Sequence, residues 1–299
     1  MMNTPKVIAN GAHACLVSPE LLCKGENINT KRYGNRVSKI FREKDTWEGE
    51  KRETEKIKQI PNFQKYFITP LKECAVHESE VDIFKSCPVI DKISEDGNLY
   101  QLVMNNGGVS LDTYILKIDF REWASILLQI LECLKVLSEH KLVHMDIKLN
   151  NIVYDPVTKS VRLIDFGLTT SFDEVYVSVY KSRYIYWPIE FVLYEQCDDK
   201  STCDIKSLNA DFTRNIKYEQ FVIRKDTPFH SRDVLKSPKN LSKIDIYSLG
   251  IECMLMHSKI KGDIPKSYKD LVNRMCALNC LERISIDDAI VCVKKSCLN

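Results

Sequence analysis

His144-Met145-Asp146-Ile147-Lys148-Leu149-Asn150-Asn151, taken with Asp165-Phe166-Gly167 downstream, decides the reading of this chain. The first run offers a carboxylate, a cation two residues on and an amide five residues on. The second offers another carboxylate beside a glycine. Moving a phosphoryl group off a nucleotide triphosphate calls for such a set: one group to orient a hydroxyl, and hard oxygen donors to hold Mg²⁺ against the phosphates. Either run alone is weak, because Asp-Phe-Gly occurs by chance and a loop aspartate often serves as a cap or turn residue. Their order, and the apolar stretch before Asp165, give the pair its weight.

Both runs sit at the ends of predicted elements, where functional groups concentrate. Trp123 to His140 places Ile126, Leu127, Ile130, Leu131, Leu134 and Leu137 on one helical face, and this helix delivers the chain to His144. Asn151–Asp155 and Ser160–Asp165 are β-type runs around Pro156-Val157-Thr158-Lys159, hence a hairpin. Upstream, residues 5–17 read as two short strands around a turn at residues 10–14, and residues 18–35 as polar and irregular. Arg36–Phe41 is a β-type run. Trp47 to Ile60 is a charged helix ending before Pro61-Asn62. Leu99–Met104 is a strand, broken by Asn105-Asn106-Gly107-Gly108 as a hinge would break it. Downstream, residues 196–243 are polar and poorly periodic, Asp245–Met256 is an apolar helix, and a shorter helical tail follows.

The 299 residues are 44% hydrophobic and 28% charged, with a net charge of +2, which fits a globular chain and offers no electrostatic case for nucleic acid or a membrane surface. Clusters such as Lys51-Arg52 read as solvated helix faces. The twelve cysteines are scattered without a C-x-x-C pair, and Cys276 and Cys280 lack a partner pair at zinc spacing. The first residues lack the apolar core of a signal peptide, and no apolar run is long enough to cross a bilayer. The expectation is a cytoplasmic or nuclear protein, not secreted, with free thiols in a reducing setting.

The two opening runs resemble the H-R-D-x-x-x-x-N and D-F-G motifs of the eukaryotic protein kinase family. The resemblance spans roughly residues 5–295. It implies an α+β, bilobal protein kinase-like fold, with a small β-rich amino lobe (1–104) and a larger α-helical carboxy lobe (105–299) carrying an insertion at about 196–243. It also implies Asp146 as catalytic base, Lys148 as the cation that neutralises the transferring group, and Asn151 and Asp165 as ligands of Mg²⁺ or Mn²⁺. Phe166 would pack beneath the amino-lobe helix, and Gly167 would allow a sharp turn. Val37-Ser38-Lys39 resembles the V-A-I-K strand, whose lysine holds the α- and β-phosphates of ATP. Glu53 is the favoured helix partner for Lys39, because Ile57 and Ile60 follow at +4 and +7; Glu50 and Glu55 are alternatives, and all three can be read as solvated charges. Gln59-Ile60-Pro61-Asn62-Phe63 resembles L-x-H-P-N-I. Ala9, Gly11, Ala14 and Leu16 fall at the three glycines and the valine of the phosphate-covering loop, so only Gly11 survives; a lone hairpin glycine is the competing reading. Met104 would be the gatekeeper, Asn105 and Asn106 would meet adenine through backbone groups, and Leu16, Val37 and Val153 would sandwich the ring. Ordinary core packing competes at each apolar position.

Further landmarks extend the resemblance. Pro188-Ile189-Glu190 stands at A-P-E, which implies an ion pair of Glu190 with Arg283, and Asp245-Ile246-Tyr247-Ser248-Leu249-Gly250 resembles D-x-W-S-L-G, whose aspartate holds the catalytic loop from below. Met145 replaces the arginine that pairs with a phosphorylated segment, so activity independent of such a switch is expected even if Ser171, Ser178 or Ser182 is modified. The minimal chain suggests a divergent kinase, such as those of large DNA viruses. Lys148 fits the D-[LI]-K-x-x-N form of Ser/Thr kinases. The implied activity is ATP-dependent transfer of the γ-phosphoryl group to Ser/Thr hydroxyls of a protein substrate. A pseudokinase acting as a binding or scaffold protein is the alternative that the degraded glycine loop favours. A small-molecule phosphotransferase of the aminoglycoside type shares H-x-D-x-x-x-x-N, but Lys148, Phe166-Gly167, Glu190 and Asp245 oppose it.

Overall fold

Alternating apolar positions in the first third of the chain build a five-stranded antiparallel sheet in the computed structural model. It describes residues 4–11, 13–30, 32–176, 184–191 and 232–298. The strands are β1 (Lys6–Asn10), β2 (Ala14–Ser18), β3 (Arg36–Phe41), β4 (Pro70–Ala75) and β5 (Tyr100–Asn105), in the order β1-β2-β3-β5-β4. Lys39 on β3 pairs with Leu16 on β2 and Leu102 on β5, while Val37 pairs with Met104. Cross-strand partners share a face, so Leu16, Val37, Lys39, Leu102 and Met104 lie on one side of the sheet. On that side Ala14, Phe41, Tyr100 and Leu102 form a buried cluster joined by Trp47 of helix α1 (Lys44–Lys58). The opposite face carries Cys15, Val17, Ile40 and Leu99, packed with Leu21, Val76, Cys87 and Ile90 from the connecting segments.

The described residues of 19–35 contain no helix or strand, in keeping with their polar composition, yet buried side chains of the sheet anchor them. Ser38 Oγ accepts from Leu21 N (2.8 Å), and Gln101 Nε2 donates to Leu22 O (3.0 Å). Here the expectation of free thiols fails. Cys15 is bonded to Cys87 and Cys23 to Cys74, at sequence separations of 72 and 51. Spacing along the chain carries no signal for such pairs, because the sheet, not local sequence, makes them neighbours. The cytoplasmic or nuclear expectation rested on free thiols and loses that support. No helix among the described residues is long and apolar enough to cross a membrane.

The second part of the chain is mainly helical. β6 (Val109–Ser110) leads into α2 (Leu111–Tyr114) and then α3 (Phe120–Glu139), whose amino end is capped by the Asp119 carboxylate accepting from Glu122 N (2.9 Å). The stripe of α3 from Trp123 to Leu137 is buried, and Trp123 Nε1 donates to Tyr268 Oη (2.9 Å). β7 (Leu142–Val143) follows, then the hairpin β8 (Ile152–Asp155) and β9 (Ser160–Leu163), and β10 (Thr170–Ser171), which pairs with β7. Among the described residues, helices α4 (Arg232–Leu235), α5 (Pro238–Leu241), α6 (Ile244–Leu255), α7 (Lys266–Met275) and α8 (Ile286–Ser296) follow. Element types agree with the sequence reading, and ends shift by a few residues: α1 starts three residues earlier than Trp47, at Lys44, and ends two before Ile60, at Lys58.

The chain divides into a first unit of residues 1–108 with 164–167, and a second of residues 109–163 with 168–299. The boundary falls after Gly108 rather than at residue 104, and the first unit takes back Ile164–Gly167. Of the expected 196–243 insertion, 232–243 forms α4, α5 and the approach to α6; the remainder, like Ser178 and Ser182, lies outside the described residues.

Candidate active site

In the first unit, three charged groups from separate segments meet. Lys39 Nζ lies 2.7 Å from both carboxylate oxygens of Glu50 on α1, and 3.1 Å from Asp165 Oδ1. Burial opposes the charge on this ammonium, but the Asp165 and Glu50 carboxylates outweigh it and push the Lys39 pKa well up. Burial raises Glu50; Lys39 draws it down and Asp165 pushes it up again. Glu53 does not take the partner position. It pairs with Lys56 (2.6 Å) and Arg52 (3.2 Å). The reason is helical phase: α1 stops at Lys58, so Ile60 says nothing about its face, and the buried residues Thr54 and Ile57 stand at +4 and +7 from Glu50. That pattern is present in the sequence and distinguishes Glu50.

Three other assignments on this unit change in detail. Gly11 N closes the β1–β2 turn by donating to Ala14 O (2.8 Å), so its N–H is engaged within the hairpin. Asn106 N donates to Asn35 O (2.7 Å), which excludes a base contact through that N–H, and Asn106 Oδ1 accepts from Gly108 N (3.1 Å). The sharp backbone turn belongs to Asp165, at φ 65°, and not to Gly167. Phe166 is buried and meets Phe67 edge-on, with centroids 5.8 Å apart. Leu16, Val37 and Met104 line the sheet face that carries Lys39.

In the second unit the loop between β7 and β8 gathers its own cluster. Lys148 Nζ is 2.8 Å from Asp146 Oδ2, and Asn151 Nδ2 donates to Asp146 Oδ2 (2.7 Å) and to its carbonyl (2.9 Å). Tyr184, which the sequence reading passed over, donates its phenol to Asp146 Oδ1 and stands 3.5 Å from Lys148 Nζ. Met145 takes a left-handed φ of 68°, a strained value for a side chain of that size. Three contacts hold it. The buried Asp245 carboxylate accepts from His144 N (2.7 Å) and Met145 N (3.0 Å), and Trp187 Nε1 donates to Met145 O (2.7 Å). Burial raises Asp245, against the pull of His144 and these backbone donors. Glu190 Oε1 meets Arg283 Nη2 at 2.7 Å, both nearly inaccessible. Val153 lies on β8, buried, opposite Ser110 and Arg162. Ser171 Oγ donates to Glu174 (3.1 Å).

Among the described residues no group of three or more His, Cys, Asp or Glu side chains could hold a metal ion by itself. The Asp165 carboxylate, and separately the Asn151 amide oxygen, are donors of the kind that Mg²⁺ takes. That ion keeps waters and phosphate oxygens, and takes only one or two protein ligands.

The sequence profile of the family described as "Protein kinase domain" matches residues 37–292. Curated relatives agree at modest identity. Calcium-dependent protein kinase 4 of Plasmodium berghei is 33% identical over 212 residues, 66% of this chain and 35% of that protein. The DYRK-family kinase pom1 of Schizosaccharomyces pombe is 33% identical over 88 residues, 29% of this chain and 8% of that protein. Dual specificity tyrosine-phosphorylation-regulated kinase 4 of Homo sapiens is 38% identical over 71 residues, 23% of this chain and 12% of that protein. The matches thus cover between 8% and 35% of the length of these three relatives.

Proposed function

Because the chain belongs to the protein kinase family, we propose that it transfers the γ-phosphoryl group of ATP, with Mg²⁺ or Mn²⁺, to Ser/Thr hydroxyls of a protein substrate. The observation that carries this reading is the Lys39–Glu50–Asp165 cluster. A partly buried cation held between two carboxylates is costly to keep unless it has work to do. A chain kept only as a scaffold has no such need, which weighs against the pseudokinase alternative.

In this reading Lys39 grips the α- and β-phosphates and Glu50 aims it. Leu16, Val37, Met104 and Val153 offer apolar surface to the adenine ring. Asp165 and the amide oxygen of Asn151 are the residues that would hold the metal, while the Asn151 amide nitrogen holds Asp146 in place. The metal would supply charge neutralisation on the phosphates. Asp146 orients the acceptor hydroxyl and receives its proton, and Lys148 offsets charge on the transferring group. Lys148 in the Asp146–Asn151 run supports Ser/Thr acceptors.

The test is transfer from γ-labelled ATP to a mixed set of protein acceptors, with Mg²⁺ and with Mn²⁺, by the wild type and by Lys39→Met and Asp146→Ala. Label on Ser/Thr from the wild type, and none from either folded variant, is expected. A wild type that binds ATP but never transfers would leave the pseudokinase reading. Label on aminoglycosides in place of proteins would leave the small-molecule one.

A further inference from the structure

The two disulfides of the first unit lie in different surroundings. Cys15–Cys87 sits in the apolar cluster on the sheet face away from Lys39, with Cys15 1% and Cys87 4% exposed. Cys23 and Cys74 are half-buried, which leaves their bond within reach of a thiol in solution. Buried disulfides resist reduction, whereas exposed ones are labile. Gln101 on β5 adds a second asymmetry. Its amide is buried; Nε2 donates to Leu22 O (3.0 Å) and to Cys74 Sγ (3.5 Å), while Oε1 has no hydrogen-bond partner among the described residues. Nε2 is therefore placed to stabilise a thiolate leaving on Cys74, and a Cys74 thiol would bring a donor beside the unpartnered oxygen. Both effects favour the opened form.

The same bond fastens a segment that backs the lysine. Leu21 N donates to Ser38 Oγ (2.8 Å), one residue before Lys39, and Leu22 O accepts from Gln101, one residue before the Leu102 that pairs with Lys39. Glu20 Oε2 lies 3.6 Å from Arg36 Nη1 at the start of β3. Beside the disulfide, Lys24 N donates to Ala75 O and His77 N to Leu22 O, each at 2.8 Å, so the segment has non-covalent contacts that survive reduction. What reduction removes is the constraint that keeps the opened arrangement rare.

We propose that Cys23–Cys74 is a thiol–disulfide exchange site, opened by a dithiol, and that opening it loosens the backing of β3 and weakens the binding of ATP. The inference rests on the kinase reading above for its nucleotide. One thiolate of the dithiol attacks Cys23 Sγ, forming a mixed disulfide and expelling Cys74 as the thiolate. The second thiol of the reagent then closes on its own sulfur and releases Cys23. The dithiol is oxidised to a disulfide, giving up two electrons and two protons, and the protein gains both as two thiols. Nucleotide binding selects chains in which the backing segment is closed, so the apparent affinity falls with the closed fraction. Linkage is reciprocal: bound ATP makes the Cys23–Cys74 bond harder to open by the same factor.

The experiment equilibrates the full chain in buffers of reduced and oxidised dithiothreitol, with and without Mg²⁺–ATP. Free thiols are trapped by alkylation and mapped by peptide mass spectrometry, and the Kd for ATP is measured by calorimetry at each redox poise. Cys23 and Cys74 should be alkylated at a poise that leaves Cys15–Cys87 bonded. The Kd for ATP should rise on the order of tenfold in that half-reduced chain and recover on reoxidation, and saturating ATP should shift the half-opening ratio of reduced to oxidised dithiothreitol by the same factor. The double variant Cys23→Ala, Cys74→Ala should bind ATP as the half-reduced chain does, with no response to poise in that range. Opening of both disulfides at one poise, or one Kd in both states, overturns this inference and leaves the kinase reading standing. Loss of the sheet's circular dichroism when Cys23–Cys74 opens makes the bond a structural staple and overturns it as well. A fully oxidised chain that binds no ATP overturns both readings.

Discussion

The two units of this chain are held together by different means. The first is a thin sheet with one face closed by loops, and covalent bonds fasten those loops: Cys15–Cys87 and Cys23–Cys74. The second is a stack of apolar helices, and its cysteines at positions 133, 253, 276 and 280 are buried free thiols used as small hydrophobes. The contrast follows from how much core each can build. A five-stranded sheet with one long helix buries little per residue, and small cores are commonly stapled. The buried stripe of α3 needs no staple.

Reduction tests this contrast most strongly. Each disulfide closes a long loop, and the chain-entropy estimate for loops of this size is about 4 kcal/mol. Reductant, or the pair Cys23→Ala and Cys74→Ala, should therefore raise hydrogen exchange across residues 4–108 and leave α3 and α6 protected. Equal protection of both units in reductant would break the comparison. A site-level contrast comes next. Glu50→Gln should lower phosphoryl transfer about 10²-fold by letting Lys39 drift, whereas Glu53→Gln should act like a surface change, within ~0.5 kcal/mol on stability. Steady-state kinetics with ATP as the varied substrate reads both.

A smaller effect sharpens the account of the packed unit. A Cβ on Gly250 of α6 would stand 2.7 Å from Cys276 Sγ and 2.8 Å from Met275 Cβ. Gly250→Ala should cost roughly 1–3 kcal/mol from overpacking, partly offset by up to about 1 kcal/mol of helix propensity. Denaturant melts followed in the helical unit would show it. The mildest test is chemical. Burial pushes the Cys253 thiol up to about 12 and Cys280 up to about 11, so both stay protonated at pH 8. Alkylation of the folded chain at that pH should mark half-buried Cys292 before either.

Much of the site was legible because it is local. Asp146, Lys148 and Asn151 lie within one short loop, and the spacing that names them also makes their contacts. Asp245 and the Glu190–Arg283 pair were readable from the order of landmarks, though their contacts span long stretches of chain. Glu50 was readable in principle, from Thr54 and Ile57, but the assumed end of the helix concealed its phase. The backbone partners of Gly11 and Asn106 were not legible: residue type said nothing of which N–H groups the hairpin and the Asn35 carbonyl would take.

By itself the sequence determined the element types, the α+β class, the family and the local cluster of Asp146, Lys148 and Asn151, since periodicity and short-range spacing are properties of neighbouring residues. Only the tertiary structure decided which glutamate meets Lys39, which cysteines become bonded and that Tyr184 reaches Asp146. Those contacts join segments far apart in the chain, and which side chains meet there depends on helix phase, strand register and packing, none of which is written in any one segment.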